Sequence, residues 1–186
     1  SYLQNKVVFL SPRGSLTSWS FNHRGFMKKL WIKLLIKPFH KRIFWHATSK
    51  KEIGDIQHFF PKADIELVSD GVSFEESEIK SECKKKWQNS FYIACLGRLH
   101  KVKGYDIMLK AMPYVLKVHS NLKLFIGGMD EGELDELIDL SYELKIQDNI
   151  EFVGQLNSDN KNCFLKHAQC LVMPSHTENF GLVAAE

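Results

Sequence analysis

Arg98 and Lys103 are the cations best placed for chemistry. Gly97-Arg98 follows an apolar run directly, and Lys103-Gly104 opens the next helical stripe five residues on. In a parallel α/β sheet, ligands bind in the crevice at the strands' carboxyl ends, where a helix N-terminus favours anions. Two cations there suit a diphosphate. The same spacing fits a plainer alternative, in which Arg98 pairs with a surface acid and Lys103 is solvated. Gly127-Gly128, after the following apolar run, leaves room for a ligand or serves a tight strand-to-helix turn. The turn Gly97-Arg98-Leu99-His100 is no G-x-G-x-x-G, which argues against a dinucleotide oxidoreductase. No G-x-x-x-x-G-K-[ST] supports a P-loop enzyme.

The chain's last residues hold a second group. Glu178 precedes an expected helix whose unpaired amides come from Asn179, Phe180, Gly181 and Leu182, and Glu186 lies eight residues beyond Glu178, about two turns on. A carboxylate there accepts hydrogen bonds from sugar hydroxyls while the amides hold phosphate oxygens. The alternatives are a helix cap for Glu178 and a solvated face for Glu186.

These residues need elements to position them. An apolar run at Val7 to Leu10 ends in Ser11-Pro12-Arg13-Gly14 and reads as a strand with its exit turn. From about Asn22 an apolar stripe of Met27, Leu30, Trp31, Leu34 and Leu35 predicts a helix that Pro38 ends or kinks. Ile43 to Ala47 is a second apolar run, and Ser49 with Glu52 predicts a capping box before the next helix. A strand at Ile65 to Val68 closes on Ser69-Asp70-Gly71, and residues 73 to 89 read as a linker.

Beyond the linker, apolar runs alternate with helical stripes. Strands are expected at Phe91 to Leu96, Leu122 to Ile126, Ile150 to Val153 and Cys170 to Met173, with Pro113 splitting the helix after the first of them. Asp130, Glu131 and Glu133 suit the dipole at the start of the next helix. The pattern predicts a parallel sheet wrapped by helices.

Composition excludes a disordered or collagen-like chain, since 44% of residues are hydrophobic and 12% aromatic. The net charge of +3 hides an asymmetry: residues 1 to 51 hold eleven Lys or Arg and no acid, while the remainder carries 14 basic and 22 acidic residues. A basic face of that kind meets phosphate, lipid or an acidic polymer, or is simply a solvated helix face. The four cysteines show no metal-like spacing and suit a reducing compartment. No run reads as a signal peptide or a bilayer span.

Taken jointly, Gly97-Arg98, Lys103-Gly104, Leu124-Phe-Ile-Gly-Gly, Phe152-Val-Gly, Pro174-Ser175 and the Glu178 and Glu186 pair resemble the nucleotide-sugar domain of retaining family 4 glycosyltransferases. Upstream, Ser11-Pro-Arg-Gly, Lys28-Lys29, His46-Ala-Thr-Ser and Ser69-Asp-Gly-Val resemble the second half of that family's first domain, especially in bacterial polysaccharide and lipopolysaccharide transferases. The resemblance implies an α/β fold of GT-B type, with Rossmann-like parallel sheets, incomplete at both ends. Residues 1–75 would close the acceptor-side domain, with a linker to about 89, and residues 90–186 would open the donor domain.

By that resemblance Arg98 and Lys103 grip the donor's diphosphate, Glu178 the sugar hydroxyls and Glu186 the ribose. Gly97, Asn179, Phe180 and Gly181 line the donor. The implied activity is metal-independent, retaining sugar transfer from a nucleotide sugar to a glycan or lipid-linked acceptor, without a cofactor and with no nucleic acid as partner. The location would be cytoplasmic, peripheral at the inner face of the membrane, and this stretch alone would be inactive. A sugar-nucleotide epimerase or phosphorylase of the same fold is one alternative, and a non-catalytic basic membrane or nucleic-acid module another. Asp70 departs from the family's asparagine. The family's acceptor-side loop and first-domain histidine would lie before Ser1, so His46 reads as a packed or half-exposed residue.

Overall fold

The structure, a computed structural model, describes residues 7–71, 83–178 and 181–185, without the side chains of residues 22–24, 40 and 185. The chain divides into two compact units, Ser1–Val72 with Thr177–Leu182, and Ser73–His176 with Val183–Glu186.

In the first unit, strands β1 (Val8–Leu10), β2 (Ile43–Ala47) and β3 (Asp64–Leu67) form a parallel sheet in that order. Helix α1 (Ser18–Trp31) joins β1 to β2, and α2 (Lys50–Phe59) joins β2 to β3. Thr17 caps α1 by accepting from the Ser20 amide at 3.3 Å, and Ser49 caps α2 by accepting from the Glu52 amide at 3.2 Å. Glu52 does more than the expected capping. It is 1% exposed, and its carboxylate accepts from Gly14 N at 2.8 Å, Thr48 N at 2.9 Å and Thr48 Oγ1 at 3.0 Å. Those bonds satisfy a buried charge and lock the turn after β1 to the turn after β2.

Helix α1 forms where the apolar stripe predicts one. Among the described side chains of this stretch, Ile32 and Ile36 are buried, and the apolar stripe faces outward, with Met27 68%, Trp31 52%, Leu34 58% and Leu35 56% exposed. A π-helical segment, Ile32–Ile36, extends the helix to the residues before Pro38. Among the described residues, no helix is long and apolar enough to cross a membrane.

In the second unit, β4 (Tyr92–Leu96), β5 (Lys123–Gly127), β6 (Ile150–Gly154) and β7 (Cys170–Leu171) form a parallel sheet ordered β6-β5-β4-β7. Both faces are covered, as parallel sheets require. Cys95, Leu124 and Ile126 pack on one face with Tyr105, Leu109 and Met112 of α4 (Tyr105–Leu116) and Leu137 of α5 (Leu134–Glu143). Tyr92, Ala94 and Phe125 pack on the other with Phe164 of α6 (Ser158–Lys166). The alternation along β4 and β5 follows from the period of two in a strand.

Three expectations change here. Pro113 lies inside a continuous α4 and does not split it. It falls in the last turn, where the one lost backbone bond is offset by the buried face of Tyr105, Met108, Leu109 and Met112. Residues 83 to 89 are not linker. They carry the short helix α3 (Lys85–Gln88), whose Trp87 is 1% exposed and packs edge-on against Phe164 with ring centroids 5.5 Å apart. Cys83 and Cys163 form a disulfide beside it, which departs from the expectation that the cysteines suit a reducing compartment. Cys95 is a buried thiol, pushed up to about 12 chiefly by desolvation.

The turns leaving β4 and β5 interlock. Gly97 N donates to Gly127 O at 2.9 Å, and Leu99 N to Met129 O at 2.8 Å. A Cβ on Gly128 would lie 1.8 Å from Gly97 O, a separation no real structure tolerates, so only glycine fits. Gly128→Ala should therefore destabilise the protein by about 3 kcal/mol or more. Gly54→Ala, mid-helix in α2 with nothing within 4 Å of an added Cβ, should instead be neutral or stabilising by about 0.5–1 kcal/mol. Urea denaturation of both variants checks the pair; equal stability for the two would contradict the interlock.

Candidate functional site

Local hydrogen bonds bring Gly97, Arg98 and Lys103 to one edge of the second sheet. His100 Nδ1 accepts from Val102 N at 3.2 Å and starts a single 3₁₀ turn, Lys101–Lys103. That turn ends at Gly104, whose φ of 64° is left-handed, and α4 begins at the next residue. Tyr105, 2% exposed, donates its hydroxyl to Gly97 O at 2.8 Å. The Lys103 stem crosses the same glycine, since a Cβ on Gly97 would stand 3.5 Å from Lys103 Cε. The two cations thus flank a single glycine turn.

The chain after β7 returns to this edge. His176 N donates to Val102 O at 2.9 Å, and a Cβ on Gly104 would lie 2.4 Å from Pro174 O. Gly104 therefore meets two demands, a left-handed turn and close passage of the Pro174 backbone. Of the sequence pieces singled out above, Gly97-Arg98, Lys103-Gly104 and Pro174-Ser175 are brought together within the second unit.

The terminal residues stand differently. Glu178 is half-buried and groups with the first unit, and Gly181, with φ of 73°, precedes the short helix α7 (Leu182–Ala185). Asn179, Phe180 and Glu186 lie outside the described residues.

Charges at the edge are already organised. Arg98 Nη1 donates to both carboxylate oxygens of Glu131, at 2.8 and 2.9 Å, which is the surface-acid pairing the spacing allowed. Asp130 caps α5, accepting from the amides of Gly132, Glu133 and Leu134 at 2.9, 3.0 and 3.1 Å. Those backbone bonds hold its carboxyl below the usual carboxylate range. Glu133, 5% exposed, is raised first by burial and then by Asp106 and Glu136, and its Oε2 has no hydrogen-bond partner among the described residues. The three acids expected to serve one helix dipole thus have three different surroundings.

A second polar cluster lies at the carboxyl ends of β1 to β3. His46 Nε2 is 2.8 Å from Val68 O and its Nδ1 3.1 Å from Ser11 Oγ. A carbonyl can only accept, so Nε2 carries a proton and donates to Val68 O, while Nδ1 faces the Ser11 hydroxyl. Arg13 forms two bonds with Asp70, at 3.0 and 3.2 Å. A carboxylate suits that forked guanidinium contact better than an amide would, which gives Asp70 a local reason.

Sequence reasoning missed Glu131 and Tyr105 as neighbours of the Gly97 turn. Glu131 was visible only as one acid among three, and Tyr105 only as a core residue of an apolar stripe.

Residues 76–186 match the family of glycosyl transferases group 1. An uncharacterized glycosyltransferase of Methanocaldococcus jannaschii is 31% identical over 135 residues, covering 68% of this chain and 34% of that protein. Sucrose-phosphate synthase from Thermosynechococcus elongatus superposes with a TM-score of 0.75 at 18% identity, over 98% of this chain and 48% of that one. The Anabaena protein HepE, solved with UDP and glucose, gives 0.75 at 14% identity over 98% and 50%. The chain thus spans about a third to a half of these proteins, and the two structures share its GT-B-type α/β fold of parallel sheets. With the family match covering the strands, turns and cations of the second unit, the chain belongs to the group 1 glycosyltransferases.

Proposed function

We propose that the protein containing this chain transfers a sugar from a nucleotide-sugar donor to a glycan or lipid-linked acceptor, with retention of configuration and without a metal ion. The observation that carries this reading is the pair Arg98 and Lys103 around the Gly97 turn, at the carboxyl edge of a parallel sheet. As the glycosidic bond breaks, the leaving nucleoside diphosphate gains negative charge. Cations held beside the diphosphate stabilise that transition state more than the ground state. Glu178 is assigned to the sugar hydroxyls and Glu186 to the ribose, with Gly97 and the amides of Asn179, Phe180 and Gly181 lining the donor. HepE was solved with UDP and glucose, which makes UDP-sugars the first donors to test. An epimerase or phosphorylase reading has no particular residue in its favour.

The α1 segment supplies the second half of the proposal. Its outward apolar face is flanked by Lys29, Lys33, Lys37 and Lys41, a combination that suits an anionic bilayer where a lipid-linked acceptor resides. That reading puts the enzyme in the cytoplasm, peripheral at the membrane's inner face.

Three measurements test these assignments on the full-length protein. Arg98→Ala and Lys103→Ala should each lower kcat/KM by about ten- to a hundredfold, the worth of a charge-assisted contact of roughly 1.5–3 kcal/mol. Wild-type efficiency in either variant removes that residue from the donor site. Glu178→Gln should depress transfer while leaving nucleoside diphosphate binding nearly intact, whereas Glu186→Gln should weaken the nucleotide and blunt discrimination against its 2′,3′-dideoxy form. An unaltered transfer rate in the first, or undiminished discrimination in the second, refutes the respective role. Co-sedimentation with anionic vesicles should occur at low salt and be lost at high salt; absence under both conditions retires the membrane reading.

A further inference from the structure

We propose that Glu131 is the exchangeable counter-anion of Arg98, a carboxylate that holds the guanidinium until the donor's diphosphate displaces it. This rests on the donor reading above and adds a residue that sets donor affinity.

The backbone imposes the pairing. Leu99 N donates to Met129 O at 2.8 Å, Glu131 N donates to Leu99 O at 3.0 Å, and Leu99 bridges to Asp130 as in a parallel sheet. The loop carrying Glu131 is therefore zipped to the loop carrying Arg98, so both side chains start from fixed, adjacent positions. Neighbouring acids have other tasks. Asp130 accepts the three amides that open α5, and Glu133 is buried. Glu131 is left directed at Arg98, with both oxygens on Nη1 at 2.8 and 2.9 Å.

A carboxylate and a phosphate seek the same guanidinium donors, so the two compete for Arg98. The pair is solvent-facing, with the Arg98 side chain 60% and the Glu131 side chain 26% exposed, and exposed ion pairs are weak. A diphosphate, which carries more charge and also meets Lys103, displaces the carboxylate. When the nucleoside diphosphate leaves after transfer, Glu131 takes Arg98 back. The carboxylate thereby weakens ground-state binding of donor and product alike and speeds product release.

The test is calorimetric binding of UDP, GDP and ADP to the full-length protein, with inorganic pyrophosphate as a probe that carries no base. Glu131→Gln keeps the side chain's size and removes its charge. It should tighten the best-bound nucleoside diphosphate by about two- to fivefold at low salt, the worth of an exposed ion pair, and the gain should shrink as salt rises. In an Arg98→Ala background the same substitution should change affinity little, because its partner is gone. Unchanged or weaker binding by Glu131→Gln, with Arg98→Ala still impaired, overturns the counter-anion role and leaves the donor site standing. If Arg98→Ala binds as the wild type does, or if none of the probes binds, the donor reading fails and this inference fails with it.

Discussion

Gly97 and Gly128 meet backbone to backbone at the carboxyl ends of β4 and β5, so closely that a side chain on Gly128 would collide with the Gly97 carbonyl. Much of the second unit's ligand edge follows from that approach. It lets the loop after β5 run alongside the loop after β4 and pair with it through Leu99, and that pairing delivers Glu131 to Arg98. The Gly97 carbonyl in turn receives the Tyr105 hydroxyl, which ties the start of α4 to the same point. Arg98 and Lys103 therefore owe their shared location to backbone packing between turns. Attraction between the two cations and their surroundings is not what gathers them.

Both units handle charge at strand ends by the same means, with backbone amides and fixed partners in place of water. Glu52 is buried and bonded to the amides of Gly14 and Thr48, so the first unit's turns are joined through one carboxylate. Asp130 serves α5 in a similar way from an exposed position. A carboxylate bonded to several amides loses little by leaving water, whereas a lone buried one is costly. Glu133, with one oxygen unpartnered among the described residues, shows that cost in its raised pKa.

Much of the architecture was legible in the chain. Seven apolar runs of the expected kind became strands, within one or two residues at their ends. The cap residue Ser49 and the joint Lys103-Gly104 before α4 also stood where pattern and local chemistry placed them. Legibility failed where local rules were overridden. Burial held Pro113 within α4, and Trp87 with the Cys83 and Cys163 disulfide converted an apparent linker into core.

Periodicity and residue type are short-range properties, and they sufficed for the alternation of strands and helices, for the glycine turns, and for choosing Arg98 and Lys103 as cations beside a helix start. Partnership is long-range. Arg98 and Glu131 are 33 residues apart, Cys83 and Cys163 are 80, and Arg13 and Asp70 are 57. Nothing in their local spacing selects those partners from the chain's other acids and thiols. The choice was made when parallel strands set neighbouring loops side by side, because strand order and register determine which turns touch.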